Sequence, residues 1–167
     1  MRKGTALAAL LLAACQQPEA GEAVASIDLE ERAAPSEPIA SPDVEGAAWQ
    51  MSADGRTARF GKPGAPVLFS LACESPGRVQ LVRHAPADAE AKAMMAWVGA
   101  GIARIPVDAS QTGGGWQWEG ELPASDARLE VIASGNATEI TVPGAGSLMA
   151  SGSPAPRRVI EACAPRR

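Results

Sequence analysis

Past residue 48 the chain alternates short apolar runs with glycine, proline and aspartate, a pattern that predicts many short strands. Ala48 to Ala53 and Arg56 to Phe60 flank Asp54-Gly55, which predicts a hairpin closed by a two-residue type I′ turn. Gly61-Lys62-Pro63-Gly64 breaks the chain. Val67 to Cys73 is an apolar run suited to a buried strand, and Arg78 to His84 alternates after the turn Glu74-Ser75-Pro76-Gly77, so the two form a second hairpin. Met94 to Val98 and Ile102 to Val107 read as a strand pair around Gly99 and Gly101, against a competing short helix over Asp88 to Met95. Gly113-Gly114-Gly115 is a loop. Alternation after it sets Trp116, Trp118 and Leu122 on one strand face and Glu119 and Glu121 on the other.

Helical spacing enters only late in the chain. Ser125 is placed to cap a helix with Asp126 in its first turn, Leu129, Ile132 and Ala133 on its apolar face, and Gly135 as its stop. Glu139 to Val142 is a strand ended by Pro143-Gly144. A last helix opens at Pro154 or Pro156 and puts Val159, Ile160 and Cys163 on one face. Residues 49–167 thus predict one α+β domain: a small, mainly antiparallel β structure, a sandwich or a partly closed sheet, with one or two short helices.

Upstream the pattern changes twice. Arg2 and Lys3 precede an unbroken apolar run from Ala6 to Ala14, the pattern of a signal peptide over residues 1–14. The run is about half of the roughly 20 residues that a membrane-spanning helix needs. Residues 15–48 are rich in acid and proline, with Arg32 the one basic residue among Glu19, Glu22, Asp28, Glu30, Glu31, Glu37, Asp43 and Glu45. So little apolar surface cannot offset the entropy of ordering the stretch, which predicts a disordered linker with a reach of about 30 Å. The net charge of -4 therefore comes mainly from the linker. The domain carries no basic field for nucleic acid.

Leu12-Ala13-Ala14-Cys15 resembles the lipobox of bacterial lipoproteins residue for residue. The resemblance implies cleavage after Ala14, a diacylglyceryl group on Cys15, further acylation of the new N-terminus by a fatty acid such as palmitate, and stable attachment to the membrane through those chains. Gln16 in place of Asp implies the periplasmic face of the outer membrane in that family. The competing reading is ordinary cleavage after Ala23-Val24-Ala25, which lies far from the apolar run, behind Pro18, Glu19 and Glu22. Cysteine arithmetic agrees with lipidation. With Cys15 taken from the three cysteines, Cys73 and Cys163 remain as an even pair in an oxidising compartment. They form a disulfide or, in the alternative, stay as buried thiols. The segment Arg158-Val159-Ile160-Glu161-Ala162-Cys163 resembles the close of a group of bacterial envelope proteins of unassigned role. A looser likeness, an early Cys-bearing strand with a late Cys, is to periplasmic accessory proteins of type VI secretion.

Candidate chemistry is sparse. His84 is the single histidine, so a multi-histidine metal site is excluded, and no G-x-S-x-G elbow nominates a serine to partner it. Glu119 and Glu121 have the two carboxylates of a glycosidase, but a solvated strand face gives the same pair. Trp116 and Trp118 offer a platform for a sugar or peptide, against a need for aromatic core in a chain with two phenylalanines and no tyrosine. Gly99-Ala100-Gly101 lacks the third glycine of a dinucleotide fingerprint. Arg157, Arg158, Arg166 and Arg167 suit a helix C-terminus as well as an anionic partner. The expectation is a lipid-anchored binding or structural module of the envelope, not an enzyme, without metal or cofactor, whose partner is an envelope protein or peptidoglycan. The alternatives are an envelope hydrolase using Glu119/Glu121 or His84, and a secretion-system accessory.

Overall fold

The computed structural model describes residues 39–164. The signal segment, Cys15 and most of the linker lie outside the described residues. Nine strands form one sheet: β1 (Ala48–Met51), β2 (Thr57–Gly61), β3 (Phe69–Ser75), β4 (Arg78–Arg83), β5 (Lys92–Val98), β6 (Ile102–Thr112), β7 (Gly115–Pro123), β8 (Thr138–Thr141) and β9 (Ser147–Ala150). The spatial order is β1-β2-β3-β4-β7-β6-β5-β8-β9, with every pair antiparallel. Of the two architectures expected, the partly closed sheet is the one formed. The sheet curls into a nearly closed barrel, and its margins meet where Trp49 Nε1 of β1 donates to Ser151 O just past β9 (3.0 Å).

Side chains fill the interior, as in small barrels generally. Phe60, Phe69, Leu81, Met95, Trp97 and Ile140 are all fully buried. Trp49 packs on Phe60 at 5.4 Å between ring centroids, and Phe69 meets Trp97 edge-on at 5.5 Å, joining β1–β3 to β5 across the barrel.

The register gives the barrel two distinct ends. Helices α1 (Arg128–Ile132) and α2 (Ala155–Cys163) lie at one, α2 against β1–β4 and α1 against β5 and β6. There Cys73 and Cys163 form a disulfide, with Cα atoms 5.3 Å apart. Val159 and Cys163 are buried on the face of α2 that the spacing predicted. The β2–β3 loop, the 84–91 segment, the β6–β7 turn and the β8–β9 turn gather at the other, open end.

Several elements differ in detail from the sequence expectation. The first hairpin forms, but its turn spans four residues: Gly55 N–H donates to Ser52 O (3.0 Å) and Ser52 N–H to Thr57 O (2.8 Å). Gly55 alone has positive φ, whereas type I′ needs it at both central positions. The strand pair prevails over the helix at 92–112. α1 has Ala127 at its N-cap with no side-chain cap; Asp126, not Ser125, accepts from the Arg128 N–H (2.9 Å). β9 was not foreseen.

The last part of the stretch assigned to the linker lies against the barrel. Ile39 N–H donates to Gly144 O (3.1 Å), Ser147 N–H to Ser41 Oγ (3.0 Å), and Lys62 pairs with Asp43 at 2.6 Å. Gly146 makes this approach possible: its φ is +68°, and a Cβ there would stand 3.0 Å from Ile39 O. This strap brings the chain into the barrel at the open end.

Candidate functional site

Three loops at the open end border a wide-mouthed cleft of about 620 Å³, lined by Val67, His84, Pro86, Trp116 and Gln117 among others. Gly115 turns the chain into β7 at φ +120°, a conformation suited to glycine, and Thr112 Oγ1 braces the turn by donating to Gly115 O (3.0 Å). Across the cleft, Ala87 N–H donates to Trp116 O (3.1 Å) and ties the 84–91 segment to β7.

His84 continues β4, its N–H donating to Leu68 O (3.1 Å). Its ring lies on the outer side of the sheet between neighbours on two strands. Nε2 is 2.9 Å from Ser70 Oγ on β3, and Nδ1 is 2.9 Å from Gln117 Oε1 on β7. An amide oxygen only accepts, so Nδ1–H donates to Gln117 and Nε2 accepts from the Ser70 hydroxyl. Burial lowers the His84 pKa; the Gln117 bond pulls the other way, and the positive charges of Arg83 and Arg59 reinforce the lowering. The imidazole is therefore neutral at neutral pH. With its oxygen committed to His84, the Gln117 amide keeps its N–H2 as a donor for a ligand.

Behind this group Arg83 points inward and is 3 % exposed. Its guanidinium donates to Leu68 O (2.9 Å) and Ala145 O (3.3 Å), bracing β3 to the β8–β9 turn across the open end. Burial lowers its pKa from the usual arginine value. Arg83 Nε and Trp118 Nε1, on register partners of β4 and β7, are buried donors without a partner among the described residues.

The expected platform divides. Trp118 is 3 % exposed and belongs to the core, whereas Trp116, nearer the strand end, lines the cleft half-buried. Glu119 and Glu121 do project together from the outer face, as alternation predicted, beside a groove where the β6–β7 ladder stops at Asp108 and Pro106 offers no N–H. Each has a β4 partner: Glu119 accepts from Gln80 Nε2 (2.6 Å), and Glu121 forms an ion pair with Arg78. Arg157 and Arg158 are exposed on α2, and Arg166 and Arg167 lie outside the described residues. Among the described residues no group of three or more His, Cys, Asp or Glu side chains is placed to hold a metal ion. No helix among them is long and apolar enough to cross a membrane.

Sequence reasoning missed Ser70 and Gln117. The β3–β4 hairpin contained a signal for Ser70, because its partner Val82 shares a strand face with His84 two residues on. Gln117 reaches His84 through the non-local β4–β7 pairing, which no local pattern announces. Comparison of the chain with protein-family models, with curated proteins and with solved structures gives no match.

Proposed function

We propose that the protein is a lipid-anchored binding module of the bacterial envelope, tethered through Cys15 at the periplasmic face of the outer membrane, with its ligand site in the open-end cleft. The observation that carries the binding part is the Ser70–His84–Gln117 chain of hydrogen bonds beside Trp116, which holds uncharged polar groups in fixed orientation at the edge of a half-apolar cleft. The lipobox carries the anchor, and the strap supports it by fixing the end of the barrel from which a tether would leave. The disulfide suits an oxidising compartment. Wild type should fractionate with membranes and carry the lipid mass on Cys15, while Cys15→Ala should be released. Identical unlipidated products would remove the anchor. In the native envelope an occupied cleft shields Trp116 from hydroxyl radicals; an indole as reactive there as in the purified protein would remove the binding reading.

The same three side chains favour a second reading, an envelope hydrolase in which His84 activates Ser70. A hydroxyl, an imidazole and an orienting amide at 2.9 Å each have nucleophile, base and orienter geometry. The binding reading has more support because Ser70, the second residue of β3, is paired on both sides, to Arg59 on β2 and Val82 on β4. Backbone N–H groups committed to ladders leave no adjacent pair of donors for an oxyanion. A fluorophosphonate probe separates the two: stoichiometric labelling lost in Ser70→Ala supports the hydrolase, and no labelling removes it.

A further inference from the structure

We infer that the occupant of the open-end cleft is a neutral oligosaccharide, an assignment that rests on the reading of this cleft as a ligand site. Charge narrows the choice first. The lining contains no carboxylate, lysine or arginine, and burial keeps His84 uncharged at neutral pH. A charged group would lose hydration there with no counter-charge in the lining to replace it.

A wholly apolar ligand fails for the opposite reason. It would strip water from the Gln117 N–H2, whose companion oxygen is already bonded to His84 Nδ1–H, and leave those donors unpaired. The occupant therefore combines an apolar face, for Trp116, Pro86 and Val67, with acceptor oxygens.

A peptide bound as an added strand has that combination, but it takes its backbone bonds from a free strand edge; a proline-rich peptide, which needs no edge, remains the competing ligand in the titration. The cleft provides no such edge. β7 is paired on one side with β4 and on the other with β6, and the Ala87 N–H is already given to Trp116 O. Recognition must come from side chains. A pyranose chain meets these terms: the C–H face of one ring covers Trp116 on the inward side of the β7 end, and the hydroxyl or acetamido oxygens of a neighbouring ring accept from Gln117, which projects from the opposite face of the strand. Both nitrogens of His84 are engaged, so it acts as a positioning residue that sets the direction of the Gln117 amide.

The test is calorimetric titration of the full chain, purified in detergent, with tetramers of N-acetylglucosamine, glucose (α- and β-linked) and galacturonate, and with a proline-rich peptide. At least one neutral tetramer should bind saturably, and about tenfold or more weakly to Trp116→Ala and to Gln117→Met. Both variants should keep the wild-type circular dichroism; Trp116→Ala should keep the urea midpoint, and Gln117→Met should lower it modestly, because the His84 Nδ1–H loses its acceptor, while remaining folded at the titration temperature. Preference for galacturonate, affinity unchanged in Trp116→Ala, or no binding of any neutral tetramer would overturn the saccharide assignment. Binding of the peptide alone would overturn it while leaving a binding module, and an unshielded Trp116 in the native envelope would bring down the binding reading itself.

Discussion

Removing the Cys73–Cys163 disulfide should cost the domain a large share of its stability. The bond closes a loop of 90 residues. In the chain-entropy model a loop of that length removes roughly 15 cal/mol/K from the unfolded ensemble, about 4–5 kcal/mol at 25 °C. Measured losses usually run nearer 2–4 kcal/mol, against about 5–15 kcal/mol for a whole domain. The structure says where the loss should appear first. α2 has nine residues, too few to be helical alone, and is held by burial of Ala155, Pro156 and Val159 together with the bond at Cys163. Cys73→Ala/Cys163→Ala avoids placing hydroxyls where both sulfurs are buried. Equilibrium urea unfolding of this variant, beside reduced wild type, should show both less stable by about 2–5 kcal/mol. Amide exchange should accelerate in α2 before it does in β4 or β7. A loss below about 1 kcal/mol, or α2 amides protected as in the oxidised protein, would refute the view that this bond staples the helix to the barrel.

Further outcomes follow from the packing and the charges. The His84 pKa is lowered in the fold, so the unfolded chain binds its proton more readily; stability is full above the unfolded pKa of about 6.5 and declines as pH falls from there toward the folded value. Urea midpoints should fall between pH 7.5 and 5, and His84→Asn should flatten that dependence. Asp126 is held at about 2 chiefly by hydrogen bonds from the Arg128 side chain and N–H, so its carboxyl resonance in Arg128→Met should titrate closer to 3.8. A Cβ on Gly120 would stand 2.8 Å from Pro106 O, and Gly120→Ala should destabilise by about 1–3 kcal/mol in thermal melts. Gly146→Ala should loosen the strap, seen as faster exchange at Ile39 and Ser147 with the core amides unchanged.

What could be read from the sequence follows the distance over which each signal acts. The β3–β4 hairpin and the alternation of β7 are local, and the pairing of Cys73 with Cys163 needed only a count and a compartment. β5 was ambiguous because its outer positions Met94 and Val98 are also apolar, 47 % and 40 % exposed, which hides the period of two. β9 has four residues and two inward positions, Leu148 and Ala150, too few to mark a strand. Trp116 and Trp118 share a phase, yet phase cannot say that the ladder carries one to the mouth of the barrel and the other into its core. The candidate site joins three strands through β4–β7, whose residues are far apart in the chain, so His84 and Trp116 could be named singly beforehand but not brought together, and Ser70 and Gln117 could not be named.

Occupancy of the open-end cleft in the envelope, the site proposed for the protein, is the most direct check on a binding role. Hydroxyl-radical footprinting of wild type in intact envelope and as purified protein would follow Trp116, with Met94 and Met149, 47 % and 53 % exposed, as internal references on another face. With a ligand in the cleft, Trp116 should be oxidised markedly more slowly in the envelope while both methionines react alike in the two preparations. Equal reactivity of Trp116 in both, or protection confined to Met94 and Met149, would contradict a binding role.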